Sequence, residues 1–292
     1  MGLPRGAPAR QRPMLSAGTG SGPAAAPELA GWRHEIRAAY AIWLRELIRF
    51  ASERARIVGA LGQPLIYLAI MGTGFGVSFR SAAAPSGFSY LQFMYPGVLG
   101  MTVLFTAMFS AISIIWDREF GFLKEILVAP VSRVSIVAGK VLGGATVATL
   151  QGVLLLVLAP IVGVRLGPTQ VVGVIVVMLL VAAALTGLGL VIASRMVTME
   201  GFQVVMNFLV LPLWLLSGAF FPLRGLPAWM AILARLDPLT YAVDALRGMI
   251  YGQSALASVL VAHPYRLNLG IIAMFLAVMS GAAIATFRSG ED

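Results

Sequence analysis

Six long apolar stretches dominate this chain, and each is close to the 20 residues that an α-helix needs to cross a lipid bilayer. They lie at about residues 57–79, 93–115, 141–164, 171–194, 202–220 and 269–287. A backbone surrounded by lipid must satisfy its own hydrogen bonds, and a continuous helix does so. The sequence therefore predicts an all-α integral membrane protein whose residues 57–292 form one six-span transmembrane domain.

The overall composition agrees with this fold class. Hydrophobic residues make up 59% of the chain and charged residues only 11%, which lies far from the usual composition of soluble domains. The chain contains no cysteine, so disulfides and thiolate metal sites are excluded. Its two histidines, His34 and His263, are far apart in sequence, and we expect no metal site.

The basic residues are distributed unevenly between alternate connections of the predicted spans. The tail, the connection after the second span, Arg195 and Arg288 together hold roughly 15 Lys and Arg residues, whereas the opposite connections hold roughly 6. This asymmetry predicts that both termini are cytoplasmic. The net charge of +9 is thus explained by topology, and we expect no nucleic-acid partner.

Two segments precede the first span. Residues 1–27 are rich in Gly, Ala and Pro, and they predict a disordered cytoplasmic tail. Residues 28–56 alternate apolar and charged side chains at helical spacing and include Trp43, which is typical of an amphipathic helix in the membrane interface. The alternative is an amphipathic helix packed on protein.

The connection between the second and third spans, residues 116–140, carries charges of both signs in a chain poor in charge. Within it Leu123, Ile126 and Leu127 recur at spacings of three and four, which predicts a short amphipathic helix that ends before Pro130. Such an apolar face needs a partner or a lipid surface. The residues alone leave two hypotheses open, a docking surface or a solvated loop that only sets topology.

The connection between the fifth and sixth spans, residues 222–252, is long and largely apolar. Asp237 and Pro238 interrupt it, which predicts two short helices that enter the outer leaflet and return. Tyr241 lies on the second of them. Asp244 and Arg247, three residues apart, could pair on one face of that helix.

Polar residues inside the spans are the candidates for a transport pathway, because each is costly in lipid. Gln63, Gln151 and Asn207 qualify, although such amides can also satisfy a neighbouring helix. No carboxylate lies centrally in a span, which argues against an ion-coupled carrier. Nucleotide binding is not expected either, since Gly139-Lys140 is followed by Val141 and lacks the earlier glycine of a phosphate-binding loop.

The order of these features resembles that of ABC-2 type export permeases, and most of all the subgroup of daunorubicin-type drug exporters and nodulation-factor exporters. The resemblance covers the chain from about residue 35 to its end. It rests on Arg118-Glu119, Gly121, Leu123, Glu125, Pro130, Arg133, Gly139-Lys140, Leu236-Asp237-Pro238-Leu239-Thr240-Tyr241 and Asp244-Ala245-Leu246-Arg247.

The resemblance implies a permease subunit, not an enzyme, in a bacterial inner membrane. Two such subunits, identical or related, would pair within the membrane lipid and dock on two copies of a separate ATPase, which would bind ATP and Mg, while this chain binds no cofactor. Alternating access would then export an amphipathic drug, lipid or glycolipid. The docking residues implied are Arg118, Glu119, Phe122, Leu123, Glu125 and Arg133.

Two other functions stay open at this point. A secondary carrier or channel would work without an ATPase, and its expected features are a carboxylate in mid-span or an internal repeat of broken helices. Neither feature is evident in the sequence. A membrane scaffold or assembly factor without transport activity is the third possibility.

Overall fold

The computed structural model describes residues 2, 31–52, 54–81, 88–119, 131–223, 225–254 and 257–288. These ranges form eleven α-helices and no strands. The helices are α1 (Trp32–Ser52), α2 (Arg54–Ser81), α3 (Tyr90–Ser110), α4 (Ile112–Glu119), α5 (Arg133–Leu156), α6 (Pro168–Arg195), α7 (Met199–Leu216), α8 (Ala228–Leu236), α9 (Pro238–Tyr251), α10 (Ala257–Leu260) and α11 (Tyr265–Arg288).

Five helical stretches within the described ranges are long and apolar enough to cross a membrane. They are Tyr90–Glu119, Arg133–Leu156, Pro168–Arg195, Met199–Leu216 and Tyr265–Phe287. The all-α membrane fold is thereby confirmed. The predicted first span lies in α2, a helix of 28 residues that is not among these five, so the count of six stays a prediction.

The second and third predicted spans can be compared with the observed helices. The second, residues 93–115, lies within the helical stretch Tyr90–Glu119, in which a tight turn at Ala111, with φ of −66° and ψ of −15° still in the helical region, separates α3 from α4. The third was expected to reach Val164, but α5 ends at Leu156 and a turn follows, which contains Gly163 with a φ of +83°. This backbone conformation is unfavourable for residues with a Cβ atom, and it ends the helical path there.

The centre of the fold is α3, whose residues 93–104 are buried throughout. Helices α2, α5, α6 and α9 surround it. Small residues permit these close contacts: a Cβ atom at Gly97 would come within 2.5 Å of the Ala219 Cβ, and one at Gly152 within 2.5 Å of the Met178 sulfur. Close approach through glycine is the usual basis of helix packing in membranes, where burial from water supplies no driving force.

The two short helices expected in residues 222–252 are present as α8 and α9. Asp237 begins α9 as its N-cap, accepting a hydrogen bond from the Leu239 amide at 2.8 Å, and Pro238 takes the first helical position, where its missing N–H costs nothing. Helix α9 is largely buried against α3, α6 and α11, whereas α8 is mostly exposed, with Leu236 75% accessible. Their depth in a membrane stays a prediction.

Candidate functional site

Helix α1 packs on α5 where two glycines leave room for it. A Cβ atom at Gly139 would lie 2.7 Å from the Ala39 carbonyl oxygen, and one at Gly143 would lie 2.8 Å from the Glu46 Cβ. Residues four apart share one face of a helix, so the two glycines form a single shallow surface on α5. Side chains of α1 therefore contact α5 directly, as Trp43 does when its Nε1 donates to Thr146 Oγ1 at 3.1 Å.

Beside this contact, a buried lysine joins three helices. The Lys140 ammonium on α5 donates to Glu46 Oε1 on α1 at 2.6 Å, and to Asp117 Oδ2 and Ser113 Oγ on α4 at 2.7 and 2.9 Å. Arg45 Nη2 donates to the same Asp117 oxygen at 2.6 Å. We name Arg45, Glu46, Asp117 and Lys140 the charge cluster.

The charge cluster is balanced and mostly shielded from solvent. The side chain of Lys140 is 3% exposed, that of Asp117 8% and that of Glu46 10%, whereas Arg45 is 39% exposed. All three ammonium hydrogens of Lys140 have an acceptor, which a buried cation requires. Removing one partner would leave a charge uncompensated, at a cost of about 3–5 kcal/mol for a buried pair. The cluster therefore fixes the relative positions of α1, α4 and α5.

The start of the 116–140 connection is held by two further arginine contacts. The Arg49 guanidinium of α1 lies 3.9 Å from the centroid of the Trp116 ring. Arg118 donates to the carbonyl oxygens of Ser194 and Met196 at 2.9 and 2.7 Å, at the C-terminal end of α6, where the helix dipole favours a cation. The structure thus places Arg118 against its own chain, while Glu119 is exposed.

The end of the connection is tied to α1 as well. Ser132 is the N-cap of α5, and its hydroxyl and that of Ser135 both donate to Glu35 Oε2 at 2.6 Å. Hydrogen bonds from Ser132 and then Ser135 lower the pKa of Glu35 below its ordinary value, so the bound carboxylate stays ionised at neutral pH. Arg133 opens α5 and is partly buried. Both ends of the connection therefore meet the same helix.

The remaining predicted docking residues, Phe122, Leu123 and Glu125, lie outside the described residues, as does the amphipathic helix expected around them. Sequence reasoning had singled out neither Glu35 nor the charge cluster as site residues. The spacing Gly139-Lys140-Val141-Leu142-Gly143 could have pointed to them, because it places a lysine on a helix face that a neighbouring helix can approach closely.

The three candidate pathway amides are not brought together. Gln151 is buried, and its side-chain oxygen accepts a hydrogen bond from the Thr106 hydroxyl on α3. Its partner therefore lies on a neighbouring helix of the same subunit. Gln63 on α2 and Asn207 on α7 are exposed. Gln203, one turn before Asn207, is exposed too, so α7 carries two exposed amides one above the other, beside its buried face.

Asp244 and Arg247, which could have paired with each other, form their hydrogen bonds with other groups. Asp244 instead accepts hydrogen bonds from the amides of Ala262 and His263 at 2.7 and 2.8 Å and from Asn268 Nδ2 at 2.9 Å.

Arg247 has other partners. Its Nη2 donates to the Gly218 carbonyl at 2.6 Å, and its guanidinium lies 4.5 Å from the centroid of the Phe93 ring. Each residue thus ties α9 to a different part of the chain. Tyr241 donates from its hydroxyl to the Arg235 carbonyl at 2.9 Å and so joins α9 to α8.

Comparison with known proteins gives consistent matches. The model of the ABC-2 type transporter family matches residues 37–251. The chain is 30% identical over 224 residues to the putative transport permease ycf38 of Cyanophora paradoxa, covering 75% of this chain and 76% of the relative. It is 30% identical to the inner membrane transport permease YadH of Escherichia coli K12 over 80% of this chain and 88% of the relative. Nodulation protein J of Rhizobium leguminosarum bv. viciae is 27% identical, with 85% and 93% covered.

Proposed function

The chain belongs to the ABC-2 type transporter family, and from this premise we propose that it is the transmembrane subunit of an ATP-driven exporter. The observation that carries the proposal is the extent of the family match, residues 37–251, which includes most of α1, both ends of the 116–140 connection and α9. Relatives named as transport permeases support the coarser statement that it is a transporter permease.

ATP hydrolysis would take place in a partner protein, because this sequence holds no phosphate-binding loop. ABC-2 permeases generally pair with an ABC ATPase. We propose that two ATPase copies, binding ATP and Mg, dock on the 116–140 connection of two permease subunits. The contacts described above favour this location. The start of the connection is held to α6 through Arg118, its end is held to α1 through Ser132, and Lys140 joins the two ends through Asp117.

The second permease subunit, a copy of this chain or a relative, would pair through the outward face of α7. Phe202, Met206, Val210 and Trp214 turn inward on this helix, and Gln203 and Asn207 lie exposed along one edge of that buried stripe. An amide that faces hydrocarbon is costly unless another helix supplies a hydrogen-bond partner. A subunit interface at α7 would give both amides that partner and could line the route between the subunits.

The cargo and the orientation in the membrane are inferred from the composition of the chain. A wall of apolar side chains with a few amides suits an amphipathic drug, lipid or glycolipid better than an ion. We propose residence in a bacterial inner membrane with both termini cytoplasmic, which the distribution of basic residues favours. The absence of a mid-span carboxylate from the sequence favours this function over a secondary carrier.

Affinity purification of the tagged full chain in mild detergent tests the proposal. We expect a protein with a phosphate-binding loop to co-purify, with native mass spectrometry giving two permease and two ATPase subunits. After reconstitution in vesicles, ATP hydrolysis by this complex should drive uptake of an amphipathic dye into inverted vesicles. Dye movement by the permease alone under an ion gradient would instead support the carrier hypothesis. A complex without transport would favour a scaffold.

A further inference from the structure

We infer that Lys140 and the charge cluster form the joint that transmits movement of the 116–140 connection to the membrane helices. This inference rests on the proposed function and adds to it a set of positioning residues. Gly139-Lys140 does not belong to a phosphate-binding loop in this sequence. The structure gives the pair a different task, since the glycine admits α1 and the lysine joins α1 to α4.

The position of the cluster in the chain supports this role. Asp117 lies two residues before the end of α4, and the predicted docking residues follow it in the sequence. Lys140 lies in the second turn of α5, the next described helix. The Lys140–Asp117 contact thus closes the connection at its base. A force applied anywhere between these two residues reaches α4 and α5 together, and Glu46 extends it to α1.

The helices around the cluster differ in how they can move. Helix α5 continues without a break from Arg133 through Lys140 to Leu156, so it acts as a stiff rod. Helix α4 is separated from α3 by a tight turn at Ala111, where Ala111 and Ile114 donate to the carbonyl oxygens three residues before them, and such a tightened turn inside a helix is suited to a hinge. A small crevice lined by Phe50, Ser110, Ile112 and Trp116 lies beside this turn.

The buried charges make this joint stiff. Because Lys140 is 3% exposed and uses all its donors, α4 cannot leave α5 without exposing an uncompensated cation and a carboxylate. A tilt of α4 about Ala111 is therefore coupled to displacement of α5 and α1. Without the charge cluster, α4 could tilt without displacing α5.

A labelling experiment on the intact complex measures this transmission. The chain has no cysteine, so Gln253→Cys, at an exposed position just after α9, gives it a single thiol. The complex with its co-purified ATPase is placed in nanodiscs, and the rate of fluorescein maleimide labelling of this chain is compared with and without ATP plus vanadate. In the otherwise wild-type chain we expect the trapped nucleotide to change that rate.

Lys140→Met should reduce the nucleotide-dependent change in labelling rate about tenfold, within the usual range of coupling between sites, while the ATPase still co-purifies and still hydrolyses ATP. Because this variant leaves Glu46 without its cation and Asp117 with Arg45 alone, the triple variant Lys140→Met/Glu46→Gln/Asp117→Asn is tested beside it. It removes all three buried charges and leaves only that of Arg45, whose side chain is 39% exposed and can be hydrated, and it should lose the response equally. Arg195→Gln, an exposed basic residue at the end of α6, is the matched control.

The outcomes separate the two proposals. A full labelling response in Lys140→Met or in the triple variant, with ATPase bound, would overturn the transmission role alone. Loss of ATPase binding in the triple variant would make the cluster a docking element and would overturn the inference as well. If the wild-type chain recovers no ATPase, or ignores the trapped nucleotide, the proposed function itself fails.

Discussion

Asp237 shows how a single buried carboxyl group can make the stability of α9 depend on pH. Burial raises its pKa from 3.8 to about 7, and hydrogen bonds from Leu239 and Thr240 oppose the shift only in part. The folded chain therefore binds the proton more tightly than the unfolded chain does. Its stability falls as the pH rises between these two values, because folding must then include burial of the charged form.

We predict that Asp237→Asn keeps the cap on α9 and abolishes this pH dependence, since the amide also accepts from the Leu239 backbone and carries no charge. Asp237→Ala should lose about 1 kcal/mol through the missing cap. Thermal unfolding in detergent at pH 5 and pH 8 measures both effects. A wild-type chain that is equally stable at the two pH values would contradict the shift.

At the scale of elements, the contact between α1 and α5 depends on glycines more than on large apolar side chains. Many apolar residues of α1 point away from α5, among them Trp32, Ile36, Tyr40 and Ile48, all more than half exposed. The face of α1 that touches protein carries Glu35, Arg45 and Glu46. One face of α1 therefore packs on protein, while the location of residues 28–56 in the membrane interface stays a prediction.

Gly139→Ala should weaken this contact, because its new Cβ atom would meet the backbone oxygen of Ala39 at 2.7 Å. Overpacking of this kind costs about 1–3 kcal/mol. We expect earlier thermal unfolding in detergent and faster proteolysis at the N-terminal end of α1. Gly270→Ala on α11 is the control, since a Cβ there meets nothing within 4 Å. Equal stability of the two variants would contradict the close packing of α1 on α5.

A second prediction for an element concerns the segment between α4 and α5. Leu123→Asp should leave the protein inserted in the membrane but separate it from its ATPase, because a charge would replace an apolar docking contact. Leu123→Met, which keeps volume and polarity, should retain the complex. Co-purification and transport measure the outcome, and an unchanged Leu123→Asp complex with unchanged transport would refute docking at this residue.

For the whole molecule, the exposed amides of α7 predict how two subunits meet. Gln203→Leu/Asn207→Leu should weaken pairing of subunits by about 1–2 kcal/mol, or roughly tenfold in the dissociation constant, because hydrogen bonds between helices are lost. Mass photometry in detergent measures the subunit count as the protein is diluted. Met274→Leu, also on an exposed helix face, is the control. If α7 faces lipid alone, the double variant will pair as well as the wild type.

Much of the architecture could be predicted from local sequence. Span lengths, the break at Asp237-Pro238 and the amphipathic character of residues 28–56 depend on neighbours within about 20 residues, because hydropathy and helical spacing are local properties. The family resemblance depends on the same local features, so it can be recognised from the sequence without the fold. The tight turn at Ala111 was not predicted, since α3 and α4 together form one apolar helical stretch of 30 residues.

Only the tertiary structure decided which charges meet. Lys140 lies 94 residues from Glu46 and 23 from Asp117 in sequence. Asp244 accepts hydrogen bonds from the amides of Ala262 and His263 and forms none with Arg247, three residues after it. Such pairs form where glycines let particular helices approach, and this depends on how whole helices pack. The sequence by itself therefore determined a helical membrane permease, whereas the structure determined the buried charge cluster, because buried charges take the partners that packing places beside them.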